Sequence, residues 1–119
     1  MKNSIKIIVA LFFTISSITA NAQQAKKNEK AVIKTNIYCD HCKECPSCGK
    51  NLQASLLKIK GVKMYELDEK KMTITLYYNG LKTSISKLRT AISNLGYDAD
   101  DVKAKPEAYQ QLDGCCKKA

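Results

Sequence analysis

The amino-acid sequence predicts a small α+β domain, and two observations support this fold class. The chain has 119 residues, a length that suits one small hydrophobic core. Between residues 31 and 102, apolar residues recur with a period of two in some segments, as in strands, and with helical spacing in others. Glycines and polar clusters separate these segments. We therefore expect strands and helices to share one core.

The first half of this region predicts a strand, a helix and a β-hairpin. The strand is indicated by three alternating positions: Ile33, Thr35 and Ile37. An amphipathic helix is indicated by apolar residues at helical spacing before a glycine: Leu52, Leu56, Ile59 and Gly61. Residues 62–67 and 72–78 then predict two strands, which the polar turn at 68–71 joins as a hairpin.

The second half predicts another helix and a last strand. Ser84 is a suitable N-cap for the helix, and Gly96 follows its expected end. The apolar face of this helix comprises Ile85, Leu88, Ile92 and Leu95. Residues 97–102 predict a short, acidic edge strand. The resulting β-α-β-β-α-β order is that of a ferredoxin-like sandwich, in which two helices pack on a four-stranded antiparallel sheet.

Residues 1–22 have the layout of a secretory signal peptide. Two lysines precede an apolar stretch at 7–18, and small residues in an A-x-A arrangement precede the expected cleavage after Ala22. The apolar stretch is shorter than the ~20 residues of a membrane-spanning helix, so we expect no membrane insertion after cleavage. Residues 23–30 are polar and without periodicity, which predicts a disordered leader. We expect an exported protein, periplasmic or secreted, in an oxidising compartment.

The composition argues against nucleic-acid binding and against catalysis. The net charge is +9, but Arg89 is the only arginine, there is no tryptophan, and the lysines are dispersed. Recognition of bases depends mainly on bidentate arginine and stacking aromatic residues. The sequence also offers no paired carboxylates, no Ser-His-Asp set and no phosphate-binding loop, so we expect no enzyme.

Four cysteines with a uniform spacing of three lie between the first strand and the first helix: Cys39, Cys42, Cys45 and Cys48. A C-x-x-C pair brings two sulfurs close enough to share one ion. Thiolates select soft ions, so Cu(I), Zn(II), Hg(II) and Cd(II) are the candidates. Cys48 lies at the predicted helix start, where the helix dipole favours the thiolate form that binds metal. The loop therefore predicts a soft-metal site.

The element order, with C-x-x-C at the first strand-to-helix junction, resembles the heavy-metal-associated (HMA) domain of copper chaperones and periplasmic mercuric-ion-binding proteins. The helix residues that follow Cys48, the Gly61-Val62 strand entry and the segment Gly96-Tyr97-Asp98-Ala99 are similar to the family pattern. We assign residues 31–103 to this domain and 104–119 to a C-terminal tail. The resemblance implies chaperoning, sequestration or transport of a metal ion, with a membrane metal transporter or another thiol-bearing protein as partner.

The loop departs from the family pattern, which has a single M-x-C-x-x-C motif. Lys43 stands at the methionine position before Cys45, and Ile37 stands at that position before Cys39. Both frames fit only if the C-x-x-C motif is duplicated. A site with more than two sulfurs, or a site for two ions, is therefore compatible with the loop.

The tail carries the last two cysteines, Cys115 and Cys116, after a predicted short helix at 106–112 that begins with proline. In a four-stranded sheet, the last strand would end at the pole opposite the cysteine loop. A part-helical tail is just long enough to return to the loop. Adjacent cysteines rarely serve one ion comfortably, so if the tail contributes ligands, either one of the two joins the loop site or each serves a different ion. The other interpretation, which also remains open, is that they are reactive thiols on a loose tail.

Two other functions are also compatible with the cysteines. The segment Cys45-Pro46-Ser47-Cys48 at a helix start is typical of thiol–disulfide exchange, although the element order is not that of thioredoxin. An even number of cysteines in a small exported domain also favours structural disulfides. The metal-binding hypothesis, with all six cysteines as candidate ligands, explains best why four thiols share one loop.

Overall fold

Three antiparallel strands form the sheet. In the computed structural model, which describes residues 24–38, 45–46 and 48–118, β1 is Glu29–Lys34, β2 is Val62–Asp68 and β3 is Thr73–Tyr78. The central strand is β3, and it pairs with β1 on one side and β2 on the other. Ile74 of β3 lies opposite Ile33 of β1 and Leu67 of β2. These three side chains are buried on the same face, which defines the core side of the sheet.

Two helices cover this core. The first, α1, is Gly49–Leu57, and the second, α2, is Ile85–Asn94. They bury the residues that the periodicity predicts: Leu52, Leu56, Leu88 and Ile92. The predicted cap is also confirmed, because the backbone N–H of Lys87 donates to Oγ of Ser84 at 3.3 Å. Within the described residues, no helix has the length and apolar character needed to cross a membrane.

The predicted fourth strand at 97–102 is not formed. The segment is a turn whose ends meet in an isolated bridge between Ala99 and Val102, so the described chain has a three-stranded sheet. Asp100 has a positive φ of 55°, a conformation that aspartate tolerates better than most residues but that a strand excludes. Aspartate is also disfavoured in strands, because its side chain competes with the neighbouring strand for hydrogen bonds to the backbone.

Asp100 attaches this turn to the edge of β1. The backbone N–H of Lys34 donates to Oδ1 of Asp100 at 2.8 Å, and the N–H of Asp100 donates to the Lys34 carbonyl at 2.8 Å. The other carboxylate oxygen accepts from Nε of Arg89 in α2, also at 2.8 Å. Asp100 thus attaches the turn to both the sheet and a helix, at the place where the sequence predicts a strand.

The chain then reverses direction beside the end of α2. Asp98 accepts a hydrogen bond from the backbone N–H of Ala104 at 2.8 Å and bonds the side chain of Asn36. Oγ of Ser93 donates to the Lys103 carbonyl at 2.6 Å, and the Ser93 carbonyl accepts from the N–H of Lys105 at 3.0 Å. The tail therefore starts near the end of β1 that leads into the cysteine loop. It does not have to run back along the length of the sheet to reach the cysteines.

A short helix, α3, continues the tail at Pro106–Gln110, and a 3₁₀ turn follows at Gly114–Cys116. Proline begins α3, as predicted, although the helix is shorter than the expected 106–112. The tail packs closely against Gly96, where an added Cβ would lie 2.9 Å from the Ala108 carbonyl oxygen. Gly96 also has a φ of 96°, so glycine is required here both for the turn and for the contact.

The folded part also begins earlier than the sequence predicts. Residues 29 and 30 of the expected disordered leader belong to β1. The carbonyl of Lys26 accepts from the N–H of Gly80 at 2.8 Å, and the carbonyl of Lys27 accepts from Nζ of Lys63 at 3.1 Å. A disordered leader that spans all of 23–30 is therefore incorrect, because its last two residues pair with β3. The predicted signal segment lies outside the described residues.

We predict that the Asp100 side chain, more than its charge, holds the turn in place. Asp100→Ala removes both acceptors and is expected to lower the free energy of unfolding by about 1–3 kcal/mol. Asp100→Asn keeps an oxygen for the Lys34 N–H and tolerates the positive φ, so its cost should be below about 1 kcal/mol. Urea unfolding of the two variants under reducing conditions tests this, and equal losses would contradict it.

Candidate metal centre

Four cysteine sulfurs converge where α1 begins. Sγ atoms of Cys45, Cys48, Cys115 and Cys116 all lie within 4.8 Å of one another. The structure therefore brings the tail pair to the loop pair that immediately precedes α1, as one of the two open interpretations of the tail expects. Cys39 and Cys42 lie outside the described residues, so their part in the site stays a prediction.

The start of α1 positions the first two sulfurs. The carbonyl of Cys48 accepts from the N–H of Leu52 at 2.8 Å, and the carbonyl of Cys45 accepts from the N–H of Lys50 at 3.2 Å. Cys48 is only 1 % exposed and belongs to the hydrophobic core, whereas Cys45 is half-buried at its edge. The first turn of α1 contains no acidic residue, so no carboxylate of that turn competes with these sulfurs for a cation.

The 3₁₀ turn of the tail positions the other two sulfurs. The N–H of Cys116 donates to the Asp113 carbonyl at 2.9 Å, and Cys116 is 2 % exposed within the same core. The N–H of Lys118 donates to the hydroxyl of Tyr109 at 2.9 Å, which ties the end of the tail back to α3. Cys115 is exposed, and its sulfur lies 3.8 Å from that of Cys116. One tail sulfur is thus held in the core and the other faces solvent.

The structure joins Cys48 and Cys116 as a disulfide, with the sulfurs of Cys45 and Cys115 beside it. The Cα atoms of the pair are 6.5 Å apart, a spacing that disulfides accept. The same proximity lets the two sulfurs share an ion once they are reduced. The four donors therefore have two chemical states: a disulfide flanked by two thiols, or four thiols that can each offer a thiolate to one ion.

Two further features lie away from these sulfurs. A groove of about 500 Å³ on the open face of the sheet is lined by charged and polar residues such as Lys30, Glu66 and Asp68, and it contains no cysteine. Burial, followed by the Glu29 carboxylate, raises the pKa of the Tyr78 hydroxyl. Tyr78 pairs with Glu29 at the opposite end of β1 from the cysteine loop, so it does not act on the site.

Comparison with known proteins connects this site to a family. Residues 44–98 match the family described as "Heavy-metal-associated domain". The copper chaperone CopZ of Staphylococcus haemolyticus (strain JCSC1435) is 28 % identical over 69 residues, which cover 58 % of this chain and 93 % of the relative. The family match includes Cys45 and Cys48, starts after Cys42 and ends before Cys115.

Solved structures show the same fold. The N-terminal domain of a potential copper-translocating P-type ATPase from Bacillus subtilis, in the Cu(I)-loaded state, is 29 % identical, with a TM-score of 0.51 over 61 % of this chain and 85 % of that domain. Oxidised MerP from Ralstonia metallidurans CH34 is 18 % identical, with a TM-score of 0.52 over 61 % of this chain and 94 % of that protein. The latter likeness concerns the fold alone. Residues 44–98 therefore match the heavy-metal-associated domain family, and the described chain shares the fold of these solved structures.

Proposed function

We propose that the protein captures a soft metal ion through clustered cysteine thiolates and passes it on by ligand exchange. The observation that carries this proposal is the set of four sulfurs within 4.8 Å of one another at the start of α1 in a heavy-metal-associated domain. Sulfur donors favour Cu(I), Zn(II), Hg(II) or Cd(II) over hard ions such as Mg²⁺. The relatives' names, which refer to copper and to a P-type ATPase, agree with this class of ion.

Cys45 and Cys48 are the central ligands in this proposal. They lie within the family match, and Cys48 is the N-cap residue of α1. Cys39 and Cys42 follow the same spacing on the preceding loop and are candidate ligands whose part the control variant below tests. Capture converts each coordinating thiol to a thiolate and releases its proton. Transfer then proceeds as thiolates of a partner replace these ligands one at a time.

The proposed setting is outside the cytoplasm, with a membrane metal transporter or another thiol-bearing protein as partner and with no catalytic activity of its own. The signal-like layout of residues 1–22 supports export. Free thiols oxidise in such a compartment unless metal protects them or a reductase keeps them reduced. Redox state and metal loading are therefore linked in this proposal.

The Cys48–Cys116 disulfide favours a second candidate function, in which the cysteines serve thiol–disulfide exchange or staple the fold. Cys45 and Cys115 lie close enough to attack this disulfide. The two candidates differ in what the reduced protein does. A metal protein binds its ion tightly after reduction, whereas a redox or structural protein remains free of metal.

We predict that Cys45→Ser combined with Cys48→Ser abolishes tight binding, because both ligands at the helix start are lost. The reduced variant should bind Cu(I) and Zn(II) at least about 100-fold more weakly than the reduced wild type, since even loss of a partner outside the ligand shell costs 10–100-fold. Competition with a chromophoric chelator under anaerobic conditions measures both affinities.

The matched control removes the other loop pair, Cys39→Ser with Cys42→Ser. Both variants lose two thiols from the same loop, so a difference between them reports position and not thiol number. Unchanged affinity in the Cys45→Ser and Cys48→Ser variant, together with loss in the control, would move the site to Cys39 and Cys42.

We predict that oxidation stabilises the fold but weakens metal binding. The Cys48–Cys116 disulfide spans 68 residues of sequence, and loop closure of this length is worth about 4 kcal/mol. The free energy of unfolding should therefore fall on reduction in the wild type and stay constant in Cys116→Ser. Denaturant unfolding with and without reductant, and Zn(II) titration of both forms, measure the two effects. Tight binding by the fully oxidised protein would contradict the proposed use of these sulfurs.

A further inference from the structure

We propose that the C-terminal pair Cys115 and Cys116 is the second half of a closed, four-thiolate site with Cys45 and Cys48, suited to a tetrahedral divalent ion such as Zn(II) or Cd(II). This inference rests on the proposed metal-binding function and specifies its ligands and ion class. The family match ends at residue 98, so it does not account for the tail cysteines. Their place in the site comes from the geometry of this chain.

The distances between the sulfurs suit a tetrahedron. Four sulfurs at about 2.3 Å from one zinc ion lie about 3.8 Å from each other. The sulfurs of Cys115 and Cys116 are 3.8 Å apart, and none of the four is more than 4.8 Å from another. Once Cys48 and Cys116 are reduced, their sulfurs move apart from bonding distance and the other sulfurs shift by up to about an ångström, which places all four around one ion. A tetrahedral set of sulfurs is the arrangement that zinc favours.

The tail is held in this position by contacts that do not involve sulfur. Ala108 lies against Gly96, and the N–H of Lys105 donates to the Ser93 carbonyl at 3.0 Å. Leu112 packs against the hydrophobic core immediately before the 3₁₀ turn. These contacts fix α3 to the end of α2. The tail sulfurs therefore remain beside Cys48 after the disulfide is reduced, as a preformed metal site requires.

The tail is also the part of the site that can leave. No residue of α3 is buried, and Cys115 is exposed, whereas Cys48 is in the core at the start of α1. A four-thiolate site has no open position, so an ion leaves only after a ligand dissociates. Whereas Cys116 is 2 % exposed within the core, Cys115 is exposed and therefore dissociates first. A partner's thiols then take its place, and the tail slows release to any acceptor that cannot displace it.

Zinc is the probe for the test, because it does not oxidise thiols. The wild-type chain without its first 22 residues is reduced with a phosphine, loaded with one equivalent of Zn²⁺, alkylated and mapped by mass spectrometry. We expect protection of Cys45, Cys48, Cys115 and Cys116 and alkylation of Cys39 and Cys42. The reduced, metal-free protein is the control for protection by burial alone, which matters most for Cys116.

X-ray absorption spectroscopy of the bound zinc then counts its sulfur ligands. In the Cys39→Ser and Cys42→Ser background, where the loop pair cannot substitute for the tail pair, we expect four sulfurs at about 2.3 Å. Adding Cys115→Ser and Cys116→Ser should leave two sulfurs, lower the Zn²⁺ affinity by more than about 100-fold and speed transfer to a chelator.

The outcomes separate this inference from the proposed function. Tight binding of one Zn²⁺ with Cys115 and Cys116 alkylated would overturn the role of the tail and leave metal binding intact. The same holds if the sulfur count and affinity do not change when the tail pair is removed from the background variant. A reduced wild type that binds neither Zn²⁺ nor Cu(I) would overturn the proposed function itself.

Discussion

The hydrogen bonds between Asp100 and Lys34 determine where the rest of the chain goes. A fourth strand along β1 would carry the chain to the end of the sheet remote from the cysteines. Instead, Asp100 pairs with a single residue of β1 through its backbone and its carboxylate, and the ion pair with Arg89 holds the turn against α2. The chain reverses at once, so a tail of modest length reaches the start of α1. One aspartate in a left-handed conformation thus makes the four-cysteine cluster accessible to the tail.

The elements that the sequence predicts correctly are those whose stability comes from a repeated apolar pattern. The cores of β2, β3, α1 and α2 follow from periodicity, because burying one face of an element requires a fixed spacing. Residues 97–102 have no such repeat. Three of these six residues are aspartates, which favour turns through side-chain bonds to the backbone, and this signal outweighs the family pattern of a final strand. The composition of this segment therefore indicates that a strand is disfavoured. It does not indicate that the turn is attached to Lys34.

The sequence predicts which type of residue forms the site, but it does not predict which cysteines come into contact with one another. Spacing identifies Cys45 and Cys48 as a pair at a helix start, and this follows from local sequence alone. The contact between Cys48 and Cys116 spans 68 residues and depends on the turn at Asp98 and Asp100, on Gly96 and on the packing of Leu112. Contacts between residues so far apart in the sequence depend on the tertiary structure, and the spacing of residues along the sequence does not predict them.

In the proposed site, metal and disulfide compete for the same sulfur atoms. Because non-covalent contacts hold the tail, oxidation of Cys48 and Cys116 requires no large movement and removes two donors from the four. The remaining thiols, Cys45 and Cys115, are the more exposed pair, so they are the pair that a reductant or a partner's thiol reaches first. Attack by the thiolate of either residue on the neighbouring disulfide forms a new disulfide to the attacking sulfur and releases the other sulfur of the broken bond as a thiolate. A reductant or a partner's thiol then cleaves the new, more exposed disulfide, and both core sulfurs become available again. In the oxidising compartment that we propose, pairing a more exposed sulfur with a buried one on each side of the site thus lets a reaction at the surface reopen a buried candidate ligand.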